Sequence, residues 1–94
     1  MVMEVKTLGQ AGSLESNDAM VTVELKEDGH LDIEVESIVM AQFGEDIVAT
    51  AASTLDELGV RHGVVRIIDK GALDFAIRAR IITAVNRALE VSGS

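Results

Sequence analysis

Apolar and polar side chains alternate twice in succession, at residues 20–25 and 31–36, and from Met40 the apolar spacing changes to three and four. A period of two belongs to strands with one buried face and a period near 3.6 to helices with one apolar stripe. A chain that switches between them has to pack a sheet against helices. The alternation turns Val21, Val23, Leu25, Leu31, Ile33 and Val35 inward and leaves Glu24, Asp32, Glu34 and Glu36 in water. Lys26, Glu27, Asp28, Gly29 and His30 between the two runs read as a turn, which predicts a β-hairpin.

The stripe Met40, Phe43, Ile47, Val48, Ala51, Ala52, Leu55 and Leu58 predicts a helix over 40–58, with Gly59 as its stop. Residues 63–69 are a β-branched run typical of a more interior strand, and Lys70 and Gly71 turn the chain. A second helix over 72–90 buries Leu73, Ala76, Ile77, Ile81, Ala84, Val85, Ala88 and Leu89, and residues 91–94 read as a frayed tail. Residues 4–15 add a further strand, because Ser16, Asn17 and Asp18 form a turn signal ahead of the strand at 20. The predicted fold is α+β: a two-layer sandwich with a small, mostly antiparallel sheet against two helices, in the order β-β-β-α-β-α, as one domain over 1–94.

The only rings are Phe43 and Phe75, so the core is expected to be built of Val, Ile, Leu, Ala and Met, and platforms for stacking bases or sugars are excluded. With no cysteine there are no disulfides, thiolate nucleophiles or sulfur metal sites. No segment approaches the roughly 20 apolar residues of a membrane span, and the N-terminal residues lack the pattern of a targeting signal. The chain is expected to be soluble and cytoplasmic, with no membrane partner. Residues 1–60 hold 13 acidic and 2 basic side chains, residues 61–94 hold 3 and 6, and the total is -8. Such a balance repels phosphate backbones, so nucleic acid is not an expected partner.

Candidate catalytic groups are few. His30 falls in the predicted hairpin turn and His62 just before a strand, both positions of ordinary exposed polar residues. Asp32, Glu34 and Glu36 share one solvated strand face, and neither a calcium loop nor a phosphate-cradling glycine loop is present. No catalytic residue and no metal site is therefore assigned. Two segments stand apart from this background. In residues 11–18 (AGSLESND) hydroxyls sit among turn formers and carboxylates, as suits a serine that enters another enzyme's active site. In residues 69–80 a strand hands over to a helix with four charges in its first turns. Asp74 and Arg78 are spaced for a helix-face ion pair. Arg80, close to the predicted stripe, is left to pair with an acid, bind a partner or contact an anionic group.

Three blocks, AGSLESND at 11–18, QFGEDI at 42–47 and DKGALD with IRAR at 69–80, resemble the citrate lyase acyl carrier (gamma subunit) family in order and spacing, over roughly residues 8–90. The resemblance implies that Ser16, the serine of the Leu14-Glu15-Ser16 triplet, carries a 2'-(5''-phosphoribosyl)-3'-dephospho-coenzyme A group through a phosphodiester; Ser13 is not the matching serine. Beside Ser16, Leu14, Glu15 and Asp18 are the candidates for recognition by the enzyme that installs the group, with solvated turn charges the alternative for Glu15 and Asp18. The thiol of the arm supplies the sulfur the chain lacks and bears first an acetyl, then a citryl thioester. The implied partners are an alpha acyltransferase subunit, a magnesium-dependent beta citryl lyase subunit and a prosthetic-group transferase, with this chain a non-catalytic carrier. Family members often have cysteine where this chain has Phe75, a difference expected to alter packing near the core. The predicted hairpin sets the chain apart from four-helix acyl carriers. Competing readings are the carrier of malonate decarboxylase or of citramalate lyase, or a small α+β ligand-binding or regulatory domain with no covalent group.

Overall fold

The computed structural model describes the backbone of residues 7–93 and the side chains of residues 7–90. The chain forms β1 (Thr7–Gly12), β2 (Ala19–Leu25), β3 (Leu31–Ser37), α1 (Met40–Glu57), β4 (Gly63–Asp69) and α2 (Asp74–Gly93), the predicted order of elements. Of the strand expected within 4–15, residues 7–12 form β1, and residues 4–6 lie outside the described residues.

The sheet order is β1-β2-β4-β3; β1 and β4 flank β2 antiparallel, and β3 runs parallel to β4. The predicted pairing of 20–25 with 31–36 is thereby corrected. Those strands do run in opposite directions, but β4 lies between them, and the hairpin in the sheet is β1–β2. A strand-helix-strand crossover brings β4 back parallel to β3. Apolar side chains on both faces of β4, Val65 and Ile67 on one and Val64 and Ile68 on the other, suit a strand flanked on both sides. Residues 26–30 need only cross two inter-strand spacings, roughly 10 Å. The crossing is pinned where the Lys26 N–H donates to His62 O (3.3 Å) and the Gly63 N–H to His30 O (2.9 Å), with His62 Nδ1 2.7 Å from Gly29 O.

One face of the sheet is covered. Ala11, Ala19, Val21, Val23, Val65 and Ile67 meet Ile47, Ala51 and Leu55 of α1 and Ile77, Ile81, Ala84 and Val85 of α2. Helix α2 lies over β1 and β2, and α1 over β3 and against α2. Each fully buried Ile or Leu contributes roughly 1.5–3 kcal/mol of transfer free energy. Among the described residues this core is aliphatic, without the expected methionines: Met20 is half-buried and Met40 exposed. Helix α1 ends in a Schellman pair, Val60 N–H to Leu55 O (2.9 Å) and Gly59 N–H to Asp56 O (3.0 Å), as the glycine stop predicts.

The helical stripes are narrower than their spacing implies. Helix α1 buries Gly44, Ile47, Ala51, Thr54 and Leu55, whereas Met40, Phe43, Val48, Ala52 and Leu58 stay exposed. It packs on an edge strand and one helix, so only a strip of it finds neighbours. Of the second predicted stripe, Leu73, which falls just before α2, and Leu89 on α2 are exposed. Phe75, expected near the core, is 71% exposed. It stands two positions before the buried Ile77, about 200° around the helix. Among the described residues no helix is long and apolar enough to cross a membrane.

A close backbone approach joins β1 to α2. A Cβ at Gly9 would lie 2.0 Å from Ala84 O and 2.5 Å from Ala88 N, both backbone atoms of α2, so the strand admits no side chain here. Gly9→Ala is expected to push α2 off the sheet and destabilise the fold by about 3 kcal/mol, measured as a lowered urea midpoint.

Candidate functional site

The β1–β2 connection and the β4–α2 connection lie at the same end of the sheet, because Ala19 at the start of β2 pairs with Asp69 at the end of β4. His30 and His62 sit at the opposite end, beside the start of β4. The two segments singled out by sequence are thus brought together, and the histidines are kept away from them.

The turn starts at Gly12, whose φ of 95° and close approach to Ala19 O (1.8 Å from an ideal Cβ) admit only glycine. The Asp18 N–H donates back to Glu15 O (3.2 Å), and Asn17 takes the left-handed φ of 66° that its short polar side chain tolerates. Two further bonds tie the turn to the neighbouring connection: Asn17 N–H to Lys70 O (2.8 Å) and Lys70 N–H to Asp18 O (2.9 Å). They extend the β2–β4 ladder past its last paired residues.

Asp18 anchors the turn from inside. Its carboxylate accepts the Ser13 hydroxyl (2.7 Å), its neighbour's Ala19 N–H (2.7 Å), and Arg80 Nε and Nη2 at 3.0 and 3.1 Å. The Ser13 hydrogen bond first, then those from Arg80 and the Ala19 amide, hold the Asp18 carboxyl well below its ordinary value of 3.8, at about 2. Of the options left open for Arg80, pairing with an acid is the one observed. The Asp18 side chain is turned inward, while Leu14, Glu15, Ser16 and Asn17 are exposed.

The two serines of the turn differ in their engagement. The Ser13 hydroxyl donates to Asp18 and accepts the Glu15 N–H (3.3 Å). The Ser16 side chain is exposed at the crest, and among the described residues its hydroxyl has no hydrogen-bond partner.

The burial of Asp69, within the second segment, was not foreseen in the sequence. Asp69 is 1% exposed and accepts the Ser37 hydroxyl (2.7 Å) and the Ala72 N–H (2.8 Å), fastening the approach to α1 to that of α2. Its position at the end of an apolar strand, followed by Lys70 and Gly71, was the available signal. The predicted Asp74–Arg78 pair is replaced by a contact between helices, in which Arg78 meets Glu57 and donates to Thr54 Oγ1 (3.3 Å).

Because the folded-state pKa of Asp18 is depressed, its stabilisation is present above pH 3.8 and is lost as the pH falls toward about 2. At pH 7 the Asp18→Asn variant is expected to unfold at lower urea than the parent. The gap between them should close across that acid window, measured by urea titrations at pH 7, 4 and 2.

A family profile describing the malonate decarboxylase delta subunit matches residues 6–88. The chain is 49% identical over 88 residues to the citrate lyase acyl carrier protein of Fusobacterium nucleatum subsp. nucleatum, covering 94% of each chain. It is 47% identical to that of Streptococcus mutans serotype c, covering 95% of this chain and 87% of the relative. It is also 47% identical to that of Clostridium perfringens, covering 96% and 89%. A chain in the crystal structure of a Pseudomonas malonate decarboxylase hetero-tetramer with malonate shares the fold, with a TM-score of 0.62 at 14% identity over 89% of this chain and 86% of that one. Matched nearly end to end, and with its two unusual segments meeting in one clamped turn, the chain belongs to the citrate lyase acyl carrier proteins and is a carrier subunit, not a catalyst.

Proposed function

We propose that Ser16 bears the phosphoribosyl dephospho-coenzyme A arm of a citrate lyase, esterified through a phosphodiester. The observation that carries this reading is the contrast within one turn. Ser16 projects an unpartnered hydroxyl from a backbone clamped on both sides, whereas the Ser13 hydroxyl is committed to Asp18. A modifying enzyme needs a hydroxyl that is accessible yet held in place, because a floppy acceptor loses ordering entropy on entering a foreign active site. Asp18 and Arg80 do the holding, and Leu14 and Glu15 are left outward for recognition.

The arm, when attached, supplies the thiol on which an acyl group rides as an activated thioester between an alpha acyltransferase and a beta citryl lyase, so that citrate is cleaved to acetate and oxaloacetate. The chain's own contribution is to tether. A linked substrate meets each active site at high effective concentration without acid, base or metal on the carrier. Identities of 44–49% to citrate lyase carriers favour citrate over malonate chemistry, because the likeness to malonate decarboxylase is a family profile over residues 6–88 and a fold shared at 14% identity.

Intact-mass and peptide mass spectrometry of protein from its native host is expected to find the arm's added mass on the peptide containing Ser16. It should be absent from a Ser16→Ala variant and retained in Ser13→Ala. An active complex with bare Ser16 would end the proposal. The purified carrier alone is expected to cleave no citrate in an oxaloacetate assay.

A further inference from the structure

Both aromatic rings of this chain are spent outside its core. Phe43 is 53% and Phe75 71% exposed, and together they line a groove of ≈ 560 Å³ with Val39, Ala72 and Leu73. Leu73 at 65% and Ile38 at 67% exposure extend the apolar surface. Burying rings is among the most favourable uses of apolar area, so two rings left in water on one face mark a surface that is covered in another state.

Position and charge indicate what covers it. A Cβ at Gly71 would lie 3.6 Å from Asn17 Oδ1 and 3.7 Å from Ile38 Cδ1. A shallower cleft lined by Asn17, Gly71, Leu73 and Phe75 runs from the serine turn into the groove. The groove's exposed charged walls are both acidic, Asp46 and Asp74, and Glu15 stands exposed on the adjoining turn. Carboxylates at that rim repel the phosphates of a tethered arm. They also set two copies of a chain of net charge -8 against each other. The complementary occupant is a protein surface with an apolar knob flanked by lysine or arginine.

We infer that the Phe43–Phe75 groove is the docking surface for the enzymes that act at Ser16 or on the arm it carries, seating an apolar, basic-rimmed patch beside their active sites. This rests on the carrier reading of Ser16 given above. Docking there fixes the serine turn relative to the partner, because turn and groove share Gly71 and its neighbours.

The test is direct binding of the unmodified full-length carrier to the purified acyltransferase, lyase and prosthetic-group transferase, by fluorescence anisotropy. Phe75→Ser and Phe43→Ser are each expected to raise Kd about tenfold or more for at least one enzyme. Their thermal unfolding should be unchanged, since both rings are exposed. Asp46→Lys with Asp74→Lys should also weaken binding, with the loss fading at about 0.5 M salt. Unchanged Kd in both ring variants, or no binding of the parent chain to any of the three, overturns the inference. So does a parent dimer that Phe75→Ser dissociates in sedimentation, which assigns the groove to a second copy. Faster thioester hydrolysis in isolated acetylated Phe75→Ser carrier, with Kd unchanged, assigns it to the arm and likewise overturns the inference. Weakened binding with a bare Ser16 in native protein keeps the groove and ends the Ser16 reading; a modified Ser16 with unaffected binding does the reverse.

Discussion

The carboxylate of Asp18 is the point on which the functional end of this molecule depends. Four donors converge on it, from the turn it belongs to, from the first amide of β2 and from a guanidinium on α2. Because Arg80 is 62 positions away in sequence, the contact makes the geometry of a surface turn conditional on the docking of the last helix. Asn17 and Lys70 add a backbone tie to the same neighbour. A turn of small polar residues would otherwise sample many conformations; here its backbone is tied on both sides of the exposed Ser16.

The same economy runs through the core. An aliphatic interior lets α2 descend onto β1 until glycine faces alanine backbone at Gly9 and Ala84, and that close seat is what carries Arg80 to Asp18. Larger side chains between strand and helix would lift the guanidinium away from the turn. The two rings stand outside that core, on the outer surface beside the serine turn. Apolar area is thus divided between holding the fold and facing partners.

A carrier of this kind separates positioning from chemistry. The chain has no cysteine, and what its fold supplies is a serine turn held in place by Asp18 and Arg80. Charge supports the division. The first sixty residues hold 13 acidic and 2 basic side chains, and Asp46 and Asp74 border the apolar groove.

Much of this was legible in the residues. Periods of two and 3.6 are set by local backbone geometry, so each element and its approximate bounds, the stop at Gly59 and the polar turn at Ser16 followed from spacing alone; the resemblance of three blocks pointed to the carrier family. What tertiary structure decided is non-local. Strand pairing depends on the β3–α1–β4 crossover, which inserts β4 between two strands that look like a hairpin. Exposure depends on which neighbours a helix finds, so Phe43, Leu73 and Phe75 satisfy an apolar periodicity and still face water. The partners of Arg78, Arg80 and Asp69 are fixed by elements meeting in space, and spacing along a chain holds no record of that. Sequence by itself settled which elements form and marked the serine turn; only the packed fold determined that Asp18 points inward to hold it, because a carboxylate's role is set by the donors that reach it.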